Sequence, residues 1–130
     1  MESKKIFIID DDPDILDSLK VIFQNQGFTV ATATNRTDGI SLCNSEKPDL
    51  IVLDIMMEND LDGYDMLNEF RTNLELKNVP IVMYTGMAQQ IGVNFRSAVE
   101  DEQMFPAVSF VDKREGAQQL LSEIRKLLNA

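Results

Sequence analysis

The chain has 130 residues, of which 44% are hydrophobic, so its length and composition fit one ordinary globular domain over residues 1–130. Its formal net charge of −10 and its lack of histidine disfavour nucleic acids and anionic membranes as partners and exclude histidine triads, histidine metal ligands and histidine general bases. The single cysteine leaves no internal disulfide framework, and the absence of a long apolar stretch or apolar leader predicts a cytoplasmic protein with no membrane span.

The first predicted elements are a strand and a helix joined by three consecutive acidic residues. Residues 4–10, KKIFIID, are rich in β-branched and aromatic side chains, which is typical of a strand. Asp12 and Pro13 then predict a helix start, because aspartate caps the first turn and proline needs no N–H donor there. Apolar residues recur along one helical face up to Gly27, which predicts a left-handed cap.

The rest of the chain continues this alternation of strands and helices. Strands are predicted at 28–33, 49–55, 80–86 and 107–113, and helices at 36–46, 64–73 and 116–129. The alternating polarity of 28–33 favours a strand near a sheet edge, whereas the apolar run in 49–55 favours a strand covered on both faces. Strict alternation predicts a parallel sheet with helices on both sides. Residues 86–107 interrupt the pattern, and we expect an irregular segment there in place of a regular fourth helix.

Reactive side chains lie at the carboxyl ends of four of the predicted strands. The first strand delivers Asp10 and Asp11 there, the third Asp54, the fourth Thr85 and the fifth Lys113. In an open parallel sheet, ligands bind beyond the carboxyl ends of the strands, where the strand order reverses. If these four strands are neighbours, the three carboxylates, the hydroxyl and the ammonium meet at one edge of the sheet.

This combination of groups predicts a magnesium-dependent phosphoryl chemistry. Oxygen ligands without nitrogen or sulfur suit Mg²⁺, which would neutralise the repulsion among the three carboxylates. A carboxylate can attack a phosphoryl group and form an acyl phosphate. Mg²⁺, Lys113 and Thr85 would then stabilise the charge on the phosphoryl oxygens, and Gly86 leaves room for that group.

Five segments carry a resemblance to a known family. They are FIIDDDPDI, PDLIVLDIMM, DGYDML, PIVMYTG and FVDK. Together, in this order, they resemble the receiver domain of two-component response regulators over nearly the whole chain. The resemblance implies an α/β fold with a doubly wound, five-stranded parallel sheet in the flavodoxin-like order 2-1-3-4-5.

The resemblance also implies a role for each site residue. It implies a Mg²⁺ site formed by Asp10, Asp11, Asp54 and the backbone carbonyl of Met56. Asp54 is then the phosphoacceptor, Thr85 follows the phosphoryl group, Lys113 pairs with it, and Phe110 occupies the aromatic switch position. The implied donor is a phosphohistidine on a sensor histidine kinase or a histidine phosphotransfer protein, and the implied output is docking on a downstream target protein.

Three features depart from the family pattern. Lys113 is followed by Arg114 instead of proline, and a trans bond is expected because a cis bond before another residue costs about 2.5–4 kcal/mol. The turn after Asp54 is one residue longer than usual and has Glu58 where proline is common. Residues 86–107 replace the usual compact loop, helix and loop.

Two methionines predict a long-lived phosphoryl state. Met56 and Met87 lie two residues after Asp54 and Thr85, at positions that flank the route of the hydrolytic water in this family. Bulky apolar side chains there are expected to slow the entry of water. A phosphoryl lifetime of seconds in the isolated protein would contradict this prediction.

The leading hypothesis is a stand-alone receiver with no output domain, which catalyses only its own phosphorylation and slow dephosphorylation. One alternative is an Mg²⁺-dependent phosphatase with an aspartyl nucleophile, although such enzymes carry a second aspartate where Met56 stands. The other alternative is a degenerate receiver that binds a partner without being phosphorylated. The missing proline after Lys113 and the altered segment at 86–107 favour this last hypothesis, whereas the intact acidic set and Lys113 disfavour it.

Overall fold

The structure, a computed structural model, describes residues 3–54, 69–70, 72–73, 76–85 and 108–129. The strands are β1 (Lys5–Ile9), β2 (Thr29–Ala33), β3 (Leu50–Leu53), β4 (Ile81–Thr85) and β5 (Val108–Asp112). The helices are α1 (Pro13–Asn25), α2 (Arg36–Ser45), a 3₁₀ turn (Lys113–Glu115) and α3 (Gly116–Asn129). Within these residues, no helix combines the length and the apolar character that a membrane span requires.

The five strands form one parallel sheet in the order β2-β1-β3-β4-β5. This order confirms the predicted doubly wound fold, with β2 at an edge. All four residues of β3 are buried, as predicted for a strand covered on both faces. Ile9 of β1 lies beside Leu53 of β3, so the residues that follow these strands, Asp10 and Asp54, are neighbours at the carboxyl edge.

The start of α1 is built as the sequence predicts. The side chain of Asp12 accepts a hydrogen bond of 3.0 Å from the backbone N–H of Asp14, and Pro13 is the first helical residue. After the helix, Gly27 has a φ of 94°, a conformation that glycine adopts without steric cost. The Asp12 cap at the other end of the helix directly follows the short loop that contains Asp10 and Asp11.

The hydrophobic core has one layer on each face of the sheet. On β1, Phe7 and Ile9 belong to one buried cluster, while Ile6 and Ile8 belong to the other, because side chains alternate along a strand. The first cluster includes Cys43 of α2. The second is formed with buried residues of α1 and α3, namely Leu16, Leu19, Phe23, Leu120, Leu121 and Ile124. Helices therefore cover both faces, as predicted.

Several predictions fall outside the described residues. They concern Met56, Glu58, Gly86, Met87 and the irregular segment at 86–107. Most of the helix predicted at 64–73 also lies outside, although Glu69, Phe70 and Thr72 have helical conformation.

Cys43 is expected to be unreactive while the protein is folded. Its side chain is buried, and burial raises the pKa of its thiol to about 12. Because the thiolate is the nucleophile, an aromatic disulfide reagent should label the native chain very slowly at neutral pH and should label it fully in denaturant. Rapid stoichiometric labelling without denaturant would contradict this expectation.

Candidate functional site

The carboxyl ends of β1 and β3 bring two buried aspartates together. The backbone N–H of Asp10 donates to Ala33 at 3.1 Å, and that of Asp54 donates to Ile9 at 3.0 Å, so the sheet ladder fixes the backbone of both residues. Asp10 is 2% exposed and Asp54 is 5% exposed, whereas Asp11 is exposed. One carboxylate oxygen of each of these three aspartates lies within 4.8 Å of the other two.

Lys113 bridges the two buried carboxylates. Its Nζ lies 2.8 Å from Oδ2 of Asp10 and 3.0 Å from Oδ2 of Asp54. The backbone N–H of Asp12 donates to Oδ1 of Asp10 at 2.9 Å. The ammonium of Lys113 therefore neutralises part of the acidic charge, and the N–H of Asp12 stabilises the carboxylate of Asp10. The sequence analysis assigned this neutralisation to a metal ion alone.

Burial and charge act in opposite directions on this pair. Burial raises the pKa of Asp10, and the charge of Asp54 adds to this, while the hydrogen bonds from Lys113 and Asp12 oppose it; the pKa stays above its ordinary value. Burial lowers the pKa of Lys113, but the hydrogen bonds and charges of Asp10 and Asp54 together outweigh burial, so its pKa is raised. Lys113 is therefore a firmly charged ammonium at neutral pH.

The acidic cluster fits a small hard cation. Asp10, Asp11 and Asp54 offer only oxygen atoms, close enough together for one ion to contact all three. Mg²⁺ prefers oxygen ligands, and in phosphoryl sites it commonly binds through one or two carboxylates, water and phosphate oxygens. The exposure of Asp11 leaves one side of the cluster open to solvent. The donor set is thus suited to Mg²⁺ together with an incoming phosphoryl group.

The family profile of the response regulator receiver domain matches residues 6–125, which include every residue of this cluster. The chain belongs to the receiver domain family of two-component response regulators. This confirms the resemblance inferred from the five sequence segments, and it accounts for the order of the strands.

Curated relatives and solved structures of similar receivers place this domain in context. It is 35% identical over 88 residues to the transcriptional regulatory protein AfsQ1 of Streptomyces coelicolor, a match that covers 68% of this chain and 37% of AfsQ1. It is 30% identical over 86 residues to protein PilH of Pseudomonas aeruginosa, covering 66% of this chain and 70% of PilH. The chain spans a third to a half of three matching transcriptional regulators, whose coverage is 37%, 48% and 33%.

The fold agrees with that of solved response regulators. A crystal structure of the response regulator TrrA from Thermotoga maritima, in complex with Mg²⁺-BeF, superposes with a TM-score of 0.76 and 28% identity. The match covers 95% of this chain and 98% of TrrA.

Two further predicted site residues of the receiver lie on β4 and β5. Thr85 is the last residue of β4 and pairs in register with Asp112, so it stands at the same edge of the sheet as the aspartates. Phe110 is 8% exposed and belongs to the buried cluster that includes Phe7 and Met83. The switch roles of Thr85 and Phe110 stay predictions.

The sequence reasoning missed one feature of the receiver beside Lys113. Asp112 is buried, and its carboxylate accepts three hydrogen bonds from Arg114. An aspartate followed three residues later by Glu115 is a capping signature that the sequence does carry. The spacing of Asp112 and Arg114 alone does not predict a contact, because it depends on the backbone angles of the turn.

Proposed function

We propose that this receiver accepts one phosphoryl group on Asp54 and passes the signal on by docking with another protein. The donor is a phosphohistidine of a sensor histidine kinase or histidine phosphotransfer protein. The observation that carries this proposal is the pairing of a buried nucleophilic carboxylate, Asp54, with the ammonium of Lys113 at 3.0 Å.

The reaction transfers a phosphoryl group between two nucleophiles. A carboxylate oxygen of Asp54 forms a bond to phosphorus while the bond from phosphorus to the donor imidazole nitrogen breaks. The electron pair of that bond stays on the imidazole, and the product on Asp54 is a mixed anhydride, an acyl phosphate. Bound at Asp10, Asp11 and Asp54, Mg²⁺ would supply positive charge for the phosphoryl oxygens and for the crowded carboxylates.

Lys113 has two tasks in this scheme. Before transfer, its ammonium holds Asp10 and Asp54 in place at 2.8 Å and 3.0 Å. During transfer, the fixed positive charge of the ammonium lowers the barrier because it stabilises negative charge that develops on the phosphoryl oxygens. After transfer, the ammonium pairs with an oxygen of the new phosphoryl group. The exchange of partners couples phosphorylation of Asp54 to the turn that carries Lys113, and thus to the start of α3.

The partners in this proposal are proteins. A net charge of −10 repels nucleic acid, and it suits a basic patch on a kinase, phosphotransfer protein or target. The solved structure of the similar receiver TrrA in complex with Mg²⁺-BeF supports Mg²⁺ as the cofactor.

Incubation with a small-molecule acyl phosphate and Mg²⁺ tests the function and separates the alternatives. Intact-mass analysis is expected to show one added phosphoryl group in the wild-type chain and none in Asp54→Asn, because the amide is a poor nucleophile toward phosphorus. Continuous release of phosphate in large excess over protein would favour the phosphatase. A folded wild-type chain that gains no adduct would favour the phosphorylation-independent interaction module and would refute the proposal.

A further inference from the structure

The turn after β5 is closed by contacts between Asp112 and the two residues that follow Lys113. Asp112 Oδ1 accepts a hydrogen bond of 2.8 Å from the backbone N–H of Arg114. The backbone N–H of Asp112 in turn donates to Oε2 of Glu115 at 3.3 Å, which completes a capping box around the 3₁₀ turn. Lys113 is therefore the first residue of a turn whose two ends are tied together.

The side chain of Arg114 adds a second closure to the same carboxylate. Its Nε donates to Oδ1 of Asp112 at 3.0 Å, and its terminal nitrogen donates to Oδ2 at 2.8 Å. This is the two-point fork in which the planar guanidinium matches a carboxylate. The carboxylate of Asp112 is 9% exposed, so this end of the fork is anchored inside the protein, while the Arg114 side chain is 61% exposed.

Lys113 lies between the two residues of this fork. Its ammonium reaches Asp10 and Asp54, on two different strands, at 2.8 Å and 3.0 Å. Fixing a long lysine side chain in one position costs conformational entropy, and fixing its backbone costs more. Because the closed turn already restricts the backbone of Lys113, less backbone entropy is lost when the ammonium binds the two carboxylates. Proline, which would restrict the backbone after Lys113, is absent from this position.

We propose that Arg114 and Asp112 form a positioning pair that aims the ammonium of Lys113 at Asp10 and Asp54. The pair acts through the backbone of Lys113, which lies between its two members in the sequence. This inference rests on the proposed function for its effect on phosphoryl transfer, but the placement of Lys113 can be measured without any phosphoryl donor.

The first test measures the initial rate of phosphoryl uptake from a small-molecule acyl phosphate at saturating Mg²⁺. Arg114→Ala is expected to lower the maximum rate roughly tenfold, less than the ~10²-fold that a ~1 Å misplacement in a site can cost. Arg114→Lys keeps the charge but cannot form the fork, so it should fall close to Arg114→Ala. Arg125→Ala is the matched control, because Arg125 is an exposed arginine of α3 that hydrogen-bonds Gln26; it should leave the rate unchanged.

A double substitution separates positioning from general support of the fold. In a Lys113→Met background, Arg114→Ala should cause no further loss of rate, because the ammonium that it positions is gone. An equal loss in both backgrounds, or an Arg114→Ala rate equal to the wild-type rate, would overturn the proposal.

The second test needs no phosphorylation, so it distinguishes failure of the positioning pair from failure of the proposed function. The shift in urea midpoint caused by Asp10→Asn is measured by circular dichroism, in chelator, with arginine or alanine at position 114. Asp10 contacts Lys113, and the two substitutions should interact through Lys113. A different shift in the two backgrounds supports the positioning pair even if no phosphoryl group is taken up, and equal shifts refute it.

Discussion

Replacing Lys113 with methionine is expected to lower the free energy of unfolding, measured in chelator at neutral pH, by about 2–3 kcal/mol. Removing one partner of a buried ion pair costs about 3–5 kcal/mol because the other charge is left uncompensated. The side chain of Lys113 is 21% exposed, so water screens part of its charge and we expect a loss of stability below the range for a fully buried pair. Asp10 and Asp54, whose side chains are 3% and 6% exposed, would then face each other without the ammonium.

Mg²⁺ is expected to restore most of this loss. Ligand at about 100 times its Kd stabilises a folded protein by about 2.7 kcal/mol, and the variant no longer has an ammonium that competes for the carboxylate oxygens. Urea unfolding of Lys113→Met with and without Mg²⁺ measures this recovery. The control is Lys20→Met on the exposed face of α1; an equal loss in both variants would contradict the account.

The loss caused by Lys113→Met should shrink as the pH falls. Burial already raises the pKa of Asp10, and removal of Lys113 takes away a contact that opposes the rise. In the variant, Asp10 then binds a proton more readily in the folded state than in the unfolded state. The free energy of unfolding therefore increases as the pH is lowered through the raised pKa of Asp10, and it decreases as the pH is raised through that pKa. Unfolding curves at mildly acidic and neutral pH test the sign.

Phe23→Ala is expected to destabilise the protein by about 3–5 kcal/mol, the usual cost of deleting a buried aromatic ring. Phe23 is 0% exposed, and its ring meets that of Phe28 edge to face, with centroids 6.4 Å apart. It belongs to the core layer that α1 and α3 share with β1 and β3. The substitution therefore removes packing contacts between α1 and the sheet.

The control for Phe23→Ala lies on the same helix. Val21 is 58% exposed, and Val21→Ala should change the free energy of unfolding by no more than about 0.5 kcal/mol. Urea unfolding followed by circular dichroism measures both variants. A loss under about 1 kcal/mol for Phe23→Ala would show that the core collapses around the smaller side chain, which would contradict tight packing of this layer.

Local chemistry is what made much of the fold predictable. Asp12 and Pro13 specify the start of α1 because capping depends only on neighbouring backbone atoms. The apolar run in β3 indicated burial on both faces, and the edge position of β2 followed from its mixed polarity. The order of the strands, which brings Asp10 beside Asp54, came from the family resemblance, since periodicity does not encode which strands pair.

The contacts around Lys113 could not be predicted to the same depth. Sequence reasoning placed Lys113 at the site but assigned the neutralisation of Asp10 and Asp54 to a cation from solution. A lysine that reaches two carboxylates on other strands depends on side-chain angles and on the closed turn at Asp112 and Arg114. These side-chain angles and the closed turn are consequences of three-dimensional packing, which neighbouring residues in the sequence do not predict.

The central claim is that the crowded carboxylates require a divalent cation before Asp54 can accept phosphorus. The most direct measurement is the initial rate of phosphoryl uptake by the unaltered chain as Mg²⁺ is raised from excess chelator to saturation, followed by intact mass with an acyl phosphate donor. The account predicts no uptake in chelator and a rate that rises to a plateau as the metal saturates a single site. An undiminished rate in chelator would contradict it.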